Sequence, residues 1–189
     1  LSYSASATFT ATATATSATD TGDMELTLGS SGGVDNRLTV AALYGPGSTA
    51  SRQIKLTIDN EGSTMSSVTL TTSGSNGPPT FVTDATDGLK LWIAKCTDAG
   101  GWAETGTTPS FTYTCNGAGD QYDVLGTSGS PVPVIQTTAA VSNLTLTDNA
   151  DNYLMVRMSL PSAAPLSMQD QTSNITYTFN GSQRSGANQ

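Results

Sequence analysis

The first sixteen residues alternate without exception between apolar and hydroxyl side chains. Every odd position from Leu1 to Ala15 is apolar, and every even position from Ser2 to Thr16 is serine or threonine. Because side chains of a β-strand point alternately to its two faces, the pattern predicts one strand with an apolar face and a hydroxyl face. Sixteen extended residues would reach roughly 50 Å, far more than the usual strand of about five or six residues. Such a strand needs a groove to fill, supplied by its own chain or by another copy.

Short segments of the same period recur along the rest of the chain, separated by turns rich in glycine, proline, asparagine and aspartate. The predicted strands lie at 24–28, 38–43, 52–58, 67–72, 88–96, 111–115, 122–125, 144–148, 153–160 and 174–179. The segment 153–160 is apolar on both faces, which predicts a central strand, whereas 97–110 is predicted to be a loop and 161–171 to hold one helical turn. So many short strands with almost no helical pattern predict an all-β sandwich of antiparallel strands.

The sequence SATDTG at 17–22 is a turn-rich hinge after the first strand, because Asp20 and Gly22 favour turns. We therefore divide the chain into an N-terminal arm (1–16), a hinge (17–22) and a body (23–189).

Composition narrows the class of protein. Only 12% of the 189 residues are charged, the net charge is −8, and the seven basic residues are not clustered. This argues against nucleic acid and anionic membranes as partners, and no stretch is long enough for a transmembrane helix. The low charge favours an extracellular β-protein. Since the chain starts at Leu1 without methionine, we expect that a signal peptide was removed, although an artificially chosen start would look the same.

Cys96 and Cys115 are the two cysteines of the chain, and each ends a predicted strand. An even pair in a secreted-looking sequence indicates one disulfide, with two buried free thiols as the alternative. In the chain-entropy model, closing a loop of this size stabilises the fold by about 3 kcal/mol.

Several segments occur in a distinctive order. They are ATFTATATAT followed by TGDMELTL, a Pro-Gly turn leading into RQIKLTIDNEGS, LKLWIAKC paired with YTC, and NYLMVRMSLPSAAPLSMQDQTSNITYTF. Together they resemble the TasA/camelysin-like family of secreted fibre proteins, which includes archaeal bundling pilins. The resemblance implies a jelly-roll-like sandwich with an extended N-terminal strand, export by the general secretory route, and assembly into surface or biofilm-matrix filaments. In the best-known members, the N-terminal strand of one subunit completes a sheet of the next.

Strand donation also fits the physical chemistry of the arm. A donated strand would cover the unpaired edge and open groove of an incomplete sandwich, and a head-to-tail contact of this kind propagates into a homopolymeric filament of identical subunits. The expected donated residues are Leu1, Tyr3, Ala5, Ala7, Phe9, Ala11 and Ala13. Two alternatives stay open: the arm is the body's own first strand, or only its beginning is donated. The resemblance adds neighbouring filaments as bundling partners.

The sequence contains no histidine, which excludes Ser-His-Asp and Cys-His catalysis, histidine-ligated zinc and the HExxH motif. Some camelysin-like relatives are described as metallopeptidases, but this sequence offers no zinc site. Glu25, Glu61, Glu104 and the scattered aspartates show no spacing that singles out a glycosidase pair. We therefore predict no enzyme, no catalytic or metal site and no cofactor.

Weaker signals have ordinary explanations. Asp20 with Asp23, and Asp148 with Asp151, would suit Ca²⁺, but aspartates in turns are the commoner case. Sequons for N-glycosylation occur at Asn143, Asn174 and Asn180.

Trp92 and Trp102 would form a sugar-stacking platform if both were exposed, although a core tryptophan and a loop anchor are the commoner roles. The alternative function is accordingly a monomeric secreted adhesin or carbohydrate-binding jelly-roll module.

Overall fold

The structure is a computed structural model that describes residues 5–16, 25–28, 40–43, 46–59, 65–75, 79–107, 110–117, 120–168 and 171–183. Its strands are β1 (Ala5–Thr16), β2 (Glu25–Leu28), β3 (Val40–Leu43), β4 (Thr49–Asp59), β5 (Met65–Ser75), β6 (Lys90–Cys96), β7 (Trp102–Thr107), β8 (Ser110–Cys115), β9 (Gln121–Leu125), β10 (Val132–Pro133), β11 (Ala139–Ala140), β12 (Ala150–Ser159) and β13 (Thr172–Gln183). Helical structure in these residues is limited to α1 (Pro79–Thr83) and a 3₁₀ turn at Leu166–Met168, where the sequence predicts a helical turn. No helix in the described ranges is long and apolar enough to cross a membrane.

The strands form two large sheets and one separate hairpin. Sheet 1 has the order β11-β5-β13-β1-β3, and sheet 2 has the order β10-β6-β12-β4-β2, with β9 also paired to β6. The hairpin consists of β7 and β8. Among the described strands, all pairings are antiparallel except that of β1 with β13, which is parallel.

The main core lies between the two sheets. Sheet 1 contributes Val68, Leu70, Ile175, Tyr177 and Phe179, and sheet 2 contributes Ile54, Leu56, Ile58, Leu91, Ile93, Leu154, Val156 and Met158. These residues alternate with more exposed ones along most strands, as expected where each sheet packs one face on the core. The predicted all-β sandwich is confirmed. The strand predicted to be central, now β12, pairs with β4 on one side and β6 on the other.

The hairpin covers the outer face of sheet 2 and encloses a second apolar cluster. Its buried members are Trp92, Ala94, Cys96, Trp102, Tyr113 and Met155. A disulfide joins Cys96 of β6 to Cys115 of β8, with the Cα atoms 5.3 Å apart, so the predicted disulfide is confirmed. Gly101, just before β7, has φ +64°, and a Cβ there would lie 2.7 Å from the Tyr153 ring. Glycine therefore allows the hairpin to approach sheet 2 closely.

Two predictions of local structure are wrong. The predicted loop 97–110 contains β7, whose apolar signal is weak because most of its side chains after Trp102 are partly or largely exposed. The predicted strand 144–148 is absent. There, the buried Asn152 side chain accepts a hydrogen bond from the Thr145 N–H at 2.7 Å and donates one to the Thr145 carbonyl at 3.0 Å. A side-chain amide thus binds backbone groups that a neighbouring strand would otherwise bind.

Candidate assembly site

The first strand lies inside sheet 1, between the last strand and β3. It runs parallel to β13 in continuous register from Ser6 opposite Thr172 to Thr16 opposite Ser182. Its contact with β3 is much shorter, with two register pairs and an irregularity between them. The main partner of β1 is therefore β13, which comes from the opposite end of the chain.

The register aligns the apolar positions of β1 with the buried positions of β13. In order along β1, residues Ala7, Phe9, Ala11, Ala13 and Ala15 are opposite Ser173, Ile175, Tyr177, Phe179 and Gly181. All five of these β13 residues are buried. The backbone register therefore aligns the odd positions of β1 with the buried positions of β13. Alanines stand opposite the two large aromatic residues of β13.

Sheet 1 also differs from sheet 2 in charge. None of the five strands of sheet 1 contains a charged residue. The strands of sheet 2 contain Glu25, Arg52, Lys55, Asp59, Lys90, Lys95, Asp123, Asp151 and Arg157. We call the place of β1 between β13 and β3 the β1 slot. Burial raises the pKa of Tyr177, whose register partner is Ala11 in the middle of β1, so its phenol stays neutral. A strand can therefore enter or leave this slot without breaking an ion pair within sheet 1.

The predicted donor residues are only partly described. Leu1 and Tyr3 lie outside the described residues. Ala5, Ala7, Phe9, Ala11 and Ala13 lie in β1, for which the structure gives the backbone pairing. The hinge 17–22 also lies outside the described residues, and the next strand, β2, belongs to sheet 2. The chain thus passes from sheet 1 to sheet 2 between residues 16 and 25.

The three sequons occupy two kinds of position. Asn143 is exposed, has φ 59°, and donates a hydrogen bond from its side chain to the Asp123 carbonyl at 2.7 Å. Asn174 and Asn180 lie in β13 at partly exposed positions that alternate with the buried ones. They are in register with Thr8 and Thr14 of β1. Glycosylation of these residues stays a prediction.

Both tryptophans are buried, so they do not form an exposed stacking platform. Trp92 is 5% exposed and donates its Nε1–H to the Asp123 carboxylate at 2.7 Å. Trp102 is 4% exposed and donates to the Tyr153 carbonyl at 2.9 Å. This agrees with the commoner roles expected from the sequence, a core tryptophan and an anchor, although Trp102 lies in β7 rather than in a loop.

The described acidic residues that the sequence suggested for metal binding or catalysis bind other side chains of the protein and do not cluster. Asp151 accepts a hydrogen bond from Thr57 at 2.6 Å and lies 3.1 Å from the Lys55 Nζ. Asp20, Asp23 and Glu61 lie outside the described residues. Glu104 accepts a hydrogen bond from the Tyr113 hydroxyl at 2.6 Å. Within the described ranges, no three potential metal ligands come together.

Comparison with known proteins adds little. No protein-family model matches the chain, and no curated protein matches it. Among solved structures, the chain is similar to a family 123 glycoside hydrolase from Clostridium perfringens, with 13% identity and a TM-score of 0.27. The alignment covers 71% of this chain and 22% of the hydrolase. A TM-score this low does not indicate a shared fold, and we infer no activity from it.

Proposed function

We propose that this protein is a subunit of an extracellular filament that assembles head-to-tail by donating its N-terminal β-strand to the neighbouring subunit. The proposal follows the resemblance to TasA-like fibre proteins. The observation that supports it is the parallel β1–β13 pairing, in which the alternating positions of β1 match the buried positions of β13. The disulfide supports an oxidising compartment such as the cell exterior.

In the filament, β1 of one subunit lies in sheet 1 of the next subunit. It occupies there the same place that it occupies in its own sheet 1 in this structure. The same residues pair in the same register, so exchange preserves the strand contacts and changes only the path of residues 17–24. Because the donated strand and the slot are different surfaces, each subunit donates in one direction and accepts from the other. Such a contact forms an open chain unless its rotation closes a ring.

Leaving the β1 slot empty is expected to cost free energy. Ile175, Tyr177 and Phe179 are fully buried, and removal of β1 would open their flank in sheet 1 to water. Full burial of a large apolar side chain contributes about 1.5–3 kcal/mol, so an empty slot is unfavourable. The lack of charged residues in sheet 1 also limits repulsion where copies of an acidic protein meet.

The experiment is to remove residues 1–16 and mix the shortened chain with the full chain. A subunit that accepts a strand but cannot donate one should stop growth, so electron micrographs should show shorter filaments as its proportion rises. The shortened chain alone should form none. Filaments from the shortened chain, or a full chain that stays monomeric at every concentration, would contradict the proposal.

The alternative is a monomeric secreted adhesin or carbohydrate-binding module, in which β1 is the body's own first strand. The observation in its favour is that β1 completes sheet 1 of its own chain. Electron micrographs separate the two: filaments of the full chain that shorten as the shortened chain is added support donation, and a full chain that stays monomeric supports an intrinsic first strand.

A further inference from the structure

A groove of about 530 Å³ lies beside the hairpin, on the outer side of sheet 2. Phe111 and Tyr113 of β8 line it together with Trp92 and Arg157 of sheet 2. Its volume is within the range of about 300–1,000 Å³ that is usual for small-ligand sites. The groove lies on the sheet opposite to the β1 slot, so its function does not depend on strand donation.

The cation of the groove is Arg157. Arg157 is half-buried, and its guanidinium stacks over the Trp92 ring with 5.6 Å between the guanidinium carbon and the ring centroid. No carboxylate of the described residues forms an ion pair with it. Arg157 also lines an adjoining cavity of about 100 Å³, together with Ser128 and Ser159. A partly desolvated guanidinium facing a cavity is suited to bind a carboxylate through two parallel hydrogen bonds.

Arg157 is the one charged residue among the described residues that line the groove. None of the lining residues that the structure describes is acidic, although the chain has fifteen acidic and seven basic residues. Among the described residues, the carboxylates of Asp123 and Glu104 lie at the edge of the groove, where they accept hydrogen bonds from Trp92 and Tyr113. A second guanidinium, that of Arg52, lies 5.0 Å from the Phe111 ring centroid.

The other polar groups of the groove are uncharged. Thr49, Ser51, Thr112 and Ser128 supply hydroxyls, and Gln121 supplies an amide. Each of these groups can both donate and accept hydrogen bonds, as the hydroxyls of a sugar do. The partly exposed Phe111 ring supplies apolar surface for the C–H face of a sugar ring. The geometry points to an acidic oligosaccharide as the ligand, with the carboxylate of a uronic acid residue on Arg157.

The test uses the full, disulfide-bonded chain and isothermal titration calorimetry. The probe is an oligogalacturonate, and the control ligand is its methyl ester, which has the same sugars without the carboxylates. We expect saturable binding of the acid, much weaker binding of the ester, and roughly tenfold or greater loss of affinity for the acid in Arg157→Gln. Lys55→Gln removes one positive charge from β4, outside the lining of the groove and of the adjoining cavity, and should bind like the wild type.

A second pair of variants tests the site without changing Arg157, in case Arg157→Gln does not fold. Ser128→Asp adds a carboxylate to the lining of the groove, and Ser130→Asp adds one to the same exposed loop without lining the groove. Only the first should weaken binding. The inference is overturned if the acid does not bind, if the ester binds equally well, or if Ser128→Asp binds like Ser130→Asp. Equal affinity for a peptide with a free terminal carboxylate would identify a general carboxylate site and also overturn it.

Discussion

Sheet 1 has no charged residue in its strands and is completed by the first strand of the chain, whereas sheet 2 carries charges in most strands and a disulfide-linked hairpin on its outer face. The interactions specific to sheet 2 are local to the body: the Lys55–Asp151 ion pair, the Cys96–Cys115 disulfide and the apolar cluster under the hairpin. Sheet 1 instead depends on a strand that reaches the body through residues 17–24.

This difference suggests a division of roles. A sheet fixed by ion pairs, a disulfide and a covering hairpin resists exchange of its strands. Under the proposed function, a sheet whose strands contain no charged residue takes the same strand from another copy without breaking an ion pair within the sheet. We therefore propose that sheet 1 serves assembly and that sheet 2 binds a ligand.

The largest effect is expected from a charge on the core face of β1. Ala11→Asp would place a carboxylate opposite the buried Tyr177, and burying an unpaired charge costs several kcal/mol. We expect complete loss of filaments in electron micrographs. Thr10→Asp is the matched control, because position 10 is in register with the partly exposed Thr176. Filaments from Ala11→Asp, or equal loss in both variants, would contradict the role of the register.

A smaller effect is expected from removal of the disulfide. The double substitution Cys96→Ala and Cys115→Ala should lower the free energy of unfolding by about 3 kcal/mol, measured by urea denaturation. Filaments should still form at temperatures where the variant is folded, because the disulfide belongs to sheet 2. A folded variant that forms no filaments would show that assembly also depends on the hairpin side.

The smallest effect concerns acid stability. The hydrogen bond from Thr57, followed by Lys55, lowers the pKa of Asp151 below its ordinary value of 3.8. The folded state therefore favours the charged form, and its contribution to stability is present above pH 3.8 and lost as pH falls through the lower, folded-state pKa. Since the pair is partly exposed, Asp151→Asn should cost at most about 1 kcal/mol near pH 7, and this cost should shrink as the pH falls through the folded-state pKa.

Lys55→Gln provides the control for this prediction. It removes the partner of the same ion pair, so the two single substitutions and their combination form a double-mutant cycle. A cost for Asp151→Asn that persists unchanged at pH 2 would show that packing, rather than charge, is responsible.

The sequence predicts the parts of the fold that depend on local pattern. The alternation of β1 places its odd residues on one face, the run 153–160 indicates a central strand, and the two cysteines indicate a disulfide. Each of these follows from side-chain periodicity or composition, which neighbouring strands do not change.

The remaining features depend on contacts between distant residues. Alternation assigns a face to β1 but does not select β13 as its neighbour or parallel as its direction. The burial of Trp92 depends on β7, whose side chains after Trp102 are only partly buried or exposed. The absence of a strand at 144–148 depends on the Asn152 side chain, which lies outside that segment. The groove at Arg157 forms only when the hairpin lies against sheet 2.

Cross-linking of β1 to β13 tests the central claim most directly. Thr10 and Thr176 are register partners on the face of sheet 1 that points away from the core, and adjacent strands are close enough for a disulfide. The variant with cysteines at both positions is assembled, oxidised and separated on a non-reducing denaturing gel, with each single substitution as a control. Strand donation predicts a ladder of covalent multimers that the single variants do not form. A single monomer band with an internal cross-link would contradict donation and show that β1 stays in its own subunit.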